Sequence, residues 1–343
     1  MKALTLEQKS GSLKLRFLEV PKPEIGPHEV LIRVLACGLC HHDKLIVEGT
    51  LRRGIVFPLI LGHEICGDVE SIGSEVTLIS PGQRVVPLLT EACGNCERCL
   101  SGIEHRCLVG KGFGHSTNGG FSTYMKAKET ALVAISKDIP PEQACLLSCP
   151  IGVGLQAVKN IGKVSNNELV MVTGASGGLG VHALQIAKHL GAKTIAVTSS
   201  EGKLVSLMEL GSDEVVSLEE FDYVEIVRAM TAEKGVNVII DTVGSPLFPS
   251  SMKALAQFGR FILLGDVRAG KTTLDLAEIL FQDSAILSST GTQKSNVQEA
   301  EYLVRTGSIK PIIHTTLPLK DALIGLSWMS DRSLFGRVVL LPD

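Results

Sequence analysis

Long apolar runs, a charge excess and internal repeats are all missing from this sequence of 343 residues. Without an uncharged apolar run of roughly 18 residues, no membrane-spanning helix is expected. The formal net charge is only −3, so the chain lacks the basic field that attracts nucleic acid. Residues 1–20 alternate apolar and charged side chains like a strand, unlike a secretory leader. We therefore expect a cytoplasmic protein with no membrane or nucleic-acid partner.

The chain is long enough for two domains, because single cores tend to split above about 250 to 300 residues. Residues 1–150 contain short alternating strands broken by Gly and Pro, for example 29–36 and 83–87. From about residue 150, strands alternate with helices, which predicts a parallel sheet covered by helices on both faces. The elements predicted here are strands 168–173, 193–198, 236–241 and 260–264 and a helix at 180–190.

The alternation of strands and helices stops after about residue 284, and residues 336–341 are predicted as a final strand. We infer that the tail returns to the first domain. The predicted domains are therefore a β-rich domain of residues 1–150 and 286–343, and an inserted nucleotide-binding domain of residues 151–285.

Four of the nine cysteines lie in a polar loop of about residues 90–110, at the spacing C-x2-C-x2-C-x7-C. Four thiolates complete a tetrahedral zinc shell and leave no open position, which is typical of a structural site. Disulfides or unliganded thiols are the alternative, and a reducing compartment disfavours the disulfides. The predicted structural zinc ligands are Cys93, Cys96, Cys99 and Cys107.

A glycine-rich loop, Gly-Ala-Ser-Gly-Gly-Leu-Gly at residues 174–180, follows a predicted strand and opens a predicted helix. In that context, the backbone can approach a pyrophosphate and the N–H groups at the helix start attract its charge. A tight turn without a ligand is the alternative. The predicted dinucleotide contacts are Gly174, Ser176, Gly177, Gly178, Leu179 and Gly180.

The end of the second strand of this domain lacks the acidic residue that binds the ribose of NAD. Ser199 and Ser200 stand there, and Lys203 follows at a place where it could pair with a 2′-phosphate. This predicts a preference for NADP(H). Glu201 keeps NAD(H) open, and Lys203 could also be an ordinary solvated charge.

Two further elements, Cys-Gly-Leu-Cys-His-His-Asp at 37–43 and Gly-His-Glu at 62–64, complete a set of motifs in a fixed order. Together with the four-cysteine loop and the glycine loop, they resemble the zinc-containing medium-chain alcohol dehydrogenases over essentially the whole chain. The resemblance implies a GroES-like β-rich catalytic domain and a Rossmann domain with a doubly wound parallel sheet.

The resemblance also implies a catalytic zinc held by Cys40, His63 and Cys149, so that two zinc ions bind per chain. Cys145 is a rival for the third ligand, and Glu64 is a further possible ligand. Three protein ligands leave a position for water or substrate. Asp43 and Glu64 would tune the metal, although either could be an ordinary loop carboxylate.

Some positions depart from the family pattern. The family usually has a hydroxyl two residues after the first ligand, where a proton relay begins; here His42 takes that position and Leu45 replaces a relay histidine. His42 could move protons itself, line the pocket or lie at the surface. Val153 replaces a threonine that touches the nicotinamide in the family. His115 has no motif around it and is expected to be a loop histidine.

The remaining cofactor contacts are implied by the resemblance alone. They are His41 and Arg337 at the pyrophosphate, and Val243, Gly265 and Asp266 in two loops that follow strands. Surface charges and plain turn residues are the alternatives. A strand near residues 285–289 pairs across subunits in this family, so a homodimer or homotetramer is expected.

The leading functional hypothesis is a zinc-dependent oxidoreductase that interconverts an alcohol with an aldehyde or ketone, using NADP(H). Apolar residues assigned to the pocket, Leu89, Phe57 and Trp328, indicate a hydrophobic small-molecule substrate. The glycine loop is one residue longer than in standard alcohol dehydrogenases and resembles the quinone and enoyl reductase branch. A reductase of activated C=C bonds, such as an enone, quinone or acryloyl-type thioester, is therefore an alternative, and a non-catalytic NADPH-binding protein is another.

Overall fold

A computed structural model describes residues 1–9, 11–218, 222–330 and 333–342. The first 152 residues contain ten strands and three α-helices among the described residues. The strands are β1 (Lys2–Lys9), β2 (Ser12–Glu19), β3 (Glu29–Leu39), β4 (Leu59–Ile60), β5 (Glu64–Ile72), β6 (Arg84–Pro87), β7 (Thr90–Glu91), β8 (Lys111–Gly112), β9 (Tyr124–Lys128) and β10 (Leu132–Ile135). The helices are α1 (His41–Val47), α2 (Glu97–Leu100) and α3 (Pro141–Ala144).

Residues 153–290 alternate strands with helices, as predicted. The strands are β11 (Leu169–Thr173), β12 (Lys193–Thr198), β13 (Glu214–Ser217), β14 (Val236–Asp241), β15 (Leu255–Leu263) and β16 (Ala285–Ser288). The helices are α4 (Val153–Leu155), α5 (Gly180–His189), α6 (Leu204–Glu209), α7 (Tyr223–Met230), α8 (Phe248–Lys253) and α9 (Leu276–Gln282). The chain ends with α10 (Lys294–Arg305), β17 (Ile313–Pro318), α11 (Ala322–Ser330) and β18 (Arg337–Leu341).

The chain divides into two compact units. Unit 1 comprises Met1–Gly152, Gly291–Ser333 and Arg337–Asp343, and unit 2 comprises Val153–Thr290 and Leu334–Gly336. The chain passes from unit 1 to unit 2 after Gly152 and back to unit 1 after Thr290. These positions lie close to the boundaries predicted at residues 150 and 286. The short return of Leu334–Gly336 to unit 2 was not predicted, and it rests on a backbone bond from Gly336 N–H to Ser176 O.

Unit 1 is built on a mixed sheet in the order β10-β6-β5-β3-β18-β17, with β9 also pairing with β3. A smaller sheet, β2-β1-β4, and the two-stranded sheet β7-β8 complete its strands. The strand β3 has the burial pattern of a central strand, with Val30, Ile32 and Ala36 fully buried. Because β18 pairs with β3, the last strand of the chain is part of the sheet of unit 1.

Unit 2 has a parallel sheet in the order β13-β12-β11-β14-β15-β16. Numbered along the unit, this is the order 3-2-1-4-5-6 of a doubly wound Rossmann fold. The predicted fold of this half is confirmed. Its strands are apolar runs because helices cover both faces of such a sheet; Val170, Ile195 and Ile239 are examples of its buried residues.

One segment, Pro141–Ile161, is 21 residues long and as apolar as a membrane-crossing helix, but 83% of its most apolar window is buried inside the protein. Its helical path is broken at Cys149, whose φ of −128° and ψ of 127° are those of extended backbone. A buried core helix meets the same criteria of length and composition, so this segment is weak evidence for a membrane span.

Candidate active site

Cys40 and His63 are brought together by the register of two strands. Cys40 directly follows β3 and His63 directly precedes β5. The strands pair antiparallel, with Gly38 opposite Glu64, so the end of one meets the start of the other. The backbone N–H of Cys40 donates a hydrogen bond of 2.9 Å to Asp43 Oδ2 in the first turn of α1. This turn fixes the backbone of Cys40 at the edge of the sheet.

Cys149 reaches the same place from the kinked helical segment Leu147–Gly152. One ligand atom from each of Cys40, His63, Glu64 and Cys149 lies within 4.8 Å of the others. The rival Cys145 is outside this cluster, and its Sγ donates to Glu142 O over 3.3 Å. Two thiols, an imidazole and a carboxylate are donors that zinc binds in proteins. We refer to these four residues as the ligand cluster.

The electrostatics of the ligand cluster fit a bound cation. A hydrogen bond with Cys149 lowers the pKa of the Cys40 thiol well below its usual value, and Arg337 and His63 act in the same direction against the effect of burial. Glu64 Oε2 is buried and has no hydrogen-bond partner among the described residues. Buried polar atoms need partners, so the residues present fit a zinc ion.

Asp43 lies against the cluster without being one of its four members. Its side chain is fully buried, and its Oδ1 is 3.6 Å from His63 Nδ1. A carboxylate beside a ligand histidine orients the ring and raises its basicity. The predicted tuning role of Asp43 is compatible with this geometry.

Glu64 forms a buried ion pair with Arg337, the first residue of β18. Arg337 Nη2 lies 2.9 Å from Glu64 Oε1. Burial raises the pKa of Glu64 to about 8, although Arg337 opposes that shift. The guanidinium of Arg337 is therefore paired with Glu64 within unit 1. The predicted contact of Arg337 with a cofactor pyrophosphate stays a prediction.

Two further imidazoles, of His42 and His115, lie near His63 of the ligand cluster. The His42 ring is almost perpendicular to that of His63, with 5.1 Å between centroids. The centroid of the His115 ring is 5.2 Å from that of His42. Burial, followed by the nearby His63, lowers the pKa of His42 to about 4. His41, which begins α1, is partly exposed. No sequence motif predicted the place of His115, because it reaches His42 through the loop after β8.

The four-cysteine loop has the geometry of a structural metal site. The Sγ atoms of Cys96 and Cys99 are 3.5 Å apart, and the pairs Cys93–Cys99 and Cys96–Cys107 are each 3.9 Å apart. Four sulfurs at about 2.3 Å from a tetrahedral zinc are separated by about 3.8 Å. Backbone N–H groups of Leu108 and Cys99 lower the pKa of Cys96 to about 6. These thiols therefore fit the predicted zinc.

In unit 2, the glycine loop lies between β11 and α5, as predicted. Gly174 has a φ of +62°, which favours glycine, and a Cβ on Gly180 would collide with the carbonyl of Gly174. Ser176 Oγ is 3.1 Å from Thr198 Oγ1, at the end of β12. The loop is also held from α5, where His182 Nδ1 lies 2.7 Å from Gly178 O. Sequence reasoning missed Thr198 and His182, whose side chains support the loop from behind.

The other predicted cofactor residues of unit 2 lie at the carboxyl ends of its strands, where dinucleotides bind in such folds. Ser199 and Ser200 follow β12 and are partly exposed, and Lys203 closes the next helical turn. Asp241, buried at the end of β14, accepts from Val243 N–H over 3.1 Å and from Thr173 Oγ1 over 2.5 Å.

The loop after β15 contains Gly265 and Asp266. The carboxylate of Asp266 accepts hydrogen bonds from Ser245 Oγ at 2.8 Å and from Arg268 N–H at 3.1 Å. It therefore stabilises its own loop, while a cofactor contact of Asp266 stays a prediction. The structure gathers the predicted ligand cluster and Arg337 in unit 1, and the remaining cofactor residues except His41 in unit 2.

Comparison with known proteins finds two family models in this chain. The alcohol dehydrogenase GroES-like domain matches residues 26–137, and the zinc-binding dehydrogenase domain matches residues 178–305. These matches confirm the predicted fold class of both halves.

Relatives of known activity match over full length. The chain is 35% identical to acryloyl-coenzyme A reductase from Sulfurisphaera tokodaii, with 100% of each chain covered. It is 32% identical to an alcohol dehydrogenase from Geobacillus stearothermophilus, again with 100% of each chain covered. A crystal structure of an NAD-dependent alcohol dehydrogenase superposes with a TM-score of 0.91 at 32% identity, covering 99% of both chains.

Proposed function

The chain belongs to the zinc-containing medium-chain alcohol dehydrogenases, a family of NAD(P)-dependent oxidoreductases, and from this premise we propose that it reduces an activated C=C bond. The substrate class is an α,β-unsaturated carbonyl compound, of which an acryloyl-type thioester is the leading example. The observation that carries this proposal is the ligand cluster with His42 in place of a relay hydroxyl. The full-length similarity to acryloyl-coenzyme A reductase and the longer glycine loop support it.

The proposed roles follow from the geometry of the site. Cys40, His63 and Cys149 would hold zinc, with Glu64 as a further ligand. When bound, this metal supplies Lewis acidity toward a carbonyl oxygen. Asp43 orients His63 from 3.6 Å, and Arg337 holds Glu64 at 2.9 Å. The glycine loop binds the pyrophosphate of the cofactor.

Reduction of such a double bond places a hydride on the β-carbon and a proton on the α-carbon. The nicotinamide cofactor provides the hydride, and its orientation against the substrate is the contribution of the protein. His42 lies beside His63, and we propose that it moves the proton at its ring nitrogen. Proton transfer by a positioned side chain typically contributes about 10²- to 10⁴-fold to a rate.

Interconversion of an alcohol with a ketone or aldehyde is the second candidate function. The cysteine and histidine donors of the ligand cluster favour it, since they suit a metal that polarises a carbonyl directly. The similarity to the Geobacillus stearothermophilus alcohol dehydrogenase supports the same reading. The two candidates share the metal and the cofactor and differ in the atom that receives the hydride.

We also propose two zinc ions per chain, a preference for NADP(H) over NAD(H), and a homo-oligomer. The preference is supported by Ser199 and Ser200 at the end of β12, where no carboxylate is present for the ribose. The oligomer is supported by β16, which forms an edge of the sheet of unit 2. Strand edges offer unpaired backbone groups to a second chain.

The metal and the reaction are tested together by measuring zinc per chain and NADPH oxidation in the wild type, Cys40→Ser and Cys149→Ser. We expect about two zincs in the wild type and one in each variant, with loss of turnover of an acryloyl-type thioester. Cys66→Ala is the matched control, because this buried cysteine lies outside both ligand sets. Turnover of ketones but not of the thioester would favour the alcohol dehydrogenase. A single zinc in all four proteins would refute a metal at the ligand cluster.

The cofactor preference is tested by Ser199→Asp. A carboxylate at the end of β12 should repel a 2′-phosphate and accept a hydrogen bond from a 2′-hydroxyl. We expect the KM for NADPH to rise and that for NADH to fall. Lys193→Ala, at the start of the same strand, is the control. An unchanged ratio of the two KM values would mean that this position does not face the ribose.

A further inference from the structure

His115 occupies a fixed orientation although no sequence motif surrounds it. Its Nε2 lies 2.8 Å from the backbone carbonyl oxygen of Arg53. Because a carbonyl oxygen only accepts hydrogen bonds, Nε2 carries the proton. In the neutral ring, Nδ1 is then an acceptor. The loop containing Arg53 therefore sets the tautomer of His115.

The backbone around His115 leaves room for this ring. Gly54 has a φ of +79°, and a Cβ there would lie 3.3 Å from His115 Nε2. A Cβ on Gly112 would lie 3.3 Å from the Cβ of His115. Such distances are tighter than ordinary van der Waals contact. Gly54 thus leaves room for the ring where it meets the Arg53 carbonyl, and Gly112 leaves room at the Cβ of His115.

His42 contacts both His63 of the ligand cluster and His115. The rings of His115 and His42 are tilted by 39° with centroids 5.2 Å apart. His42 meets His63 edge to face at 5.1 Å. His63 is buried, while His42 and His115 are partly exposed. We call His63, His42 and His115 the imidazole row, which runs from the ligand cluster toward a surface loop.

Two neighbouring members of the imidazole row, His42 and His115, each have an unsatisfied nitrogen. Nδ1 of His42 and Nδ1 of His115 are buried and have no hydrogen-bond partner among the described residues. Leaving a buried polar atom unpaired destabilises the folded state. The Arg53 carbonyl leaves His115 Nδ1 as an acceptor, and one water bridging the adjacent rings would satisfy both nitrogens. An ordinary loop histidine would not require this arrangement.

We propose that His115 is a positioning residue for His42. Its ring and its accepting Nδ1 hold the imidazole of His42 in the orientation that serves the reacting atoms. This inference rests on the proposed function, in which His42 replaces the relay hydroxyl. Among the described residues, the contacts of the His115 ring are with His42 and the Arg53 carbonyl, so its effect on turnover passes through His42.

A double-mutant cycle tests the proposal by kinetics. His115→Phe keeps an aromatic ring but removes both nitrogens, whereas His115→Asn keeps a donor for the Arg53 carbonyl. We expect His115→Phe to lower kcat about tenfold, which corresponds to about 1.4 kcal/mol, with little change in KM and a smaller effect of His115→Asn. In a His42→Asn background, His115→Phe should cause no further loss. Equal losses in both backgrounds, or none in either, would overturn the proposal.

Ser116→Ala is the control for the loop, since the Ser116 hydroxyl only accepts from Gly112 N–H at 2.9 Å. This change should leave kcat unaltered. Zinc content and the thermal midpoint of each variant show whether it is folded and loaded. If His115→Phe does not fold, the double-mutant cycle is measured with His115→Asn instead. The loss of kcat caused by His115→Asn should then also disappear in the His42→Asn background.

A spectroscopic measurement tests positioning without any substrate. Long-range ¹⁵N–¹H spectra of the zinc-loaded protein should show His115 as the Nε2–H tautomer. His115→Phe should shift the ring signals of His42. Unchanged His42 signals would refute the proposal even if turnover fell. If the wild type turns over neither thioester nor ketone, the proposed function fails, and the spectra still decide whether His115 orients His42.

Discussion

At the scale of single residues, the absence of a side chain at Gly38 is as important as the ligands themselves. Gly38 lies opposite Glu64 in the pairing of β3 with β5, and a Cβ on it would occupy the space of the Glu64 carboxylate. That carboxylate is fully buried and paired with Arg337. A small residue in β3 thus makes room for a charged group at the ligand cluster.

Gly38→Ala should therefore displace Glu64 from Arg337. Overpacking in a core typically costs about 1–3 kcal/mol, and we expect a loss of about 3 kcal/mol because a buried ion pair is also disturbed. The free energy of unfolding in urea measures this loss. Gly202→Ala is the control, since a Cβ there meets nothing within 4 Å. Equal stability of the two variants would mean that the Glu64 carboxylate can move to another position without loss of stability.

At the scale of elements, the four-cysteine loop is connected to the helix that packs on Cys149. Glu104, between Cys99 and Cys107, accepts a hydrogen bond of 2.7 Å from Lys294 N–H in the first turn of α10. The helix α10 packs against Leu147–Gly152, the segment that carries Cys149. A carboxylate at a helix N-terminus satisfies an unpaired N–H and favours the helix dipole. The four-cysteine loop thereby holds α10, which in turn packs against the segment that carries Cys149 of the ligand cluster.

Glu104→Ala should destabilise the protein by about 1–2 kcal/mol, the usual cost of losing a helix cap. Glu104→Gln should cost less, because its amide oxygen can still accept the hydrogen bond. Urea unfolding of the zinc-loaded protein measures both. Glu97→Ala, an exposed glutamate in α2 of the same loop, is the control. A loss no larger than that of Glu97→Ala would show that α10 does not depend on this cap.

A second connection between elements joins the start of β11 to β15. Arg260 Nη2 lies 2.7 Å from Glu168 Oε1, and its Nε donates to Gly162 O over 2.7 Å. Burial opposes ionisation of Glu168, but hydrogen bonds from Arg260 and from Ser165 N–H outweigh it, so the pKa of Glu168 is lowered. The ionised carboxylate therefore stabilises the folded state.

The sign of the pH dependence follows from this lowered pKa. The stabilisation is complete above the unfolded-state pKa of about 4.3 and is lost as the pH falls through the lower folded-state pKa. Glu168→Gln should destabilise the protein at pH 7 and have a smaller effect near pH 3. Urea unfolding across this range, with the exposed Glu209→Gln as control, measures the difference. A cost that did not change with pH would rule out the ion pair as its cause.

At the scale of the whole molecule, the edge of the sheet in unit 2 carries exposed apolar residues. Leu276, Leu280 and Phe281 of α9 are 73%, 70% and 80% exposed, and β16 follows α9 directly. Apolar residues grouped on a surface often mark a contact with another chain. This surface supports the expected homo-oligomer, with β16 as the pairing strand.

Phe281→Lys combined with Ile286→Lys should dissociate that oligomer. Two charges on the surface would have to be desolvated at the interface, which is costly. Light scattering after size exclusion gives the mass, and we expect a multiple of 36.5 kDa for the wild type and 36.5 kDa for the variant. Leu323→Lys, at an exposed apolar residue of α11, is the control. An unchanged mass of the double variant would place the interface elsewhere.

The sequence by itself determined the features that depend on short spacings. The four cysteines are close enough along the chain that the loop connecting them fixes their geometry, and the glycine loop needs only the strand before it and the helix after it. The order of strands and helices likewise predicted a doubly wound sheet, because strand and helix periods are local properties.

Only the tertiary structure decided which distant residues meet. Sheet register brings Cys40 to His63, helix packing adds Cys149, and β18 places Arg337 on Glu64. His115 reaches His42, and Glu104 reaches α10, through loops with no periodic pattern. Such contacts depend on pairing and packing across many residues, and no spacing along the chain encodes them. The spacing therefore predicted the structural zinc ligands and a resemblance the catalytic ones, whereas the contacts of His115 and Glu104 had no signal in the sequence.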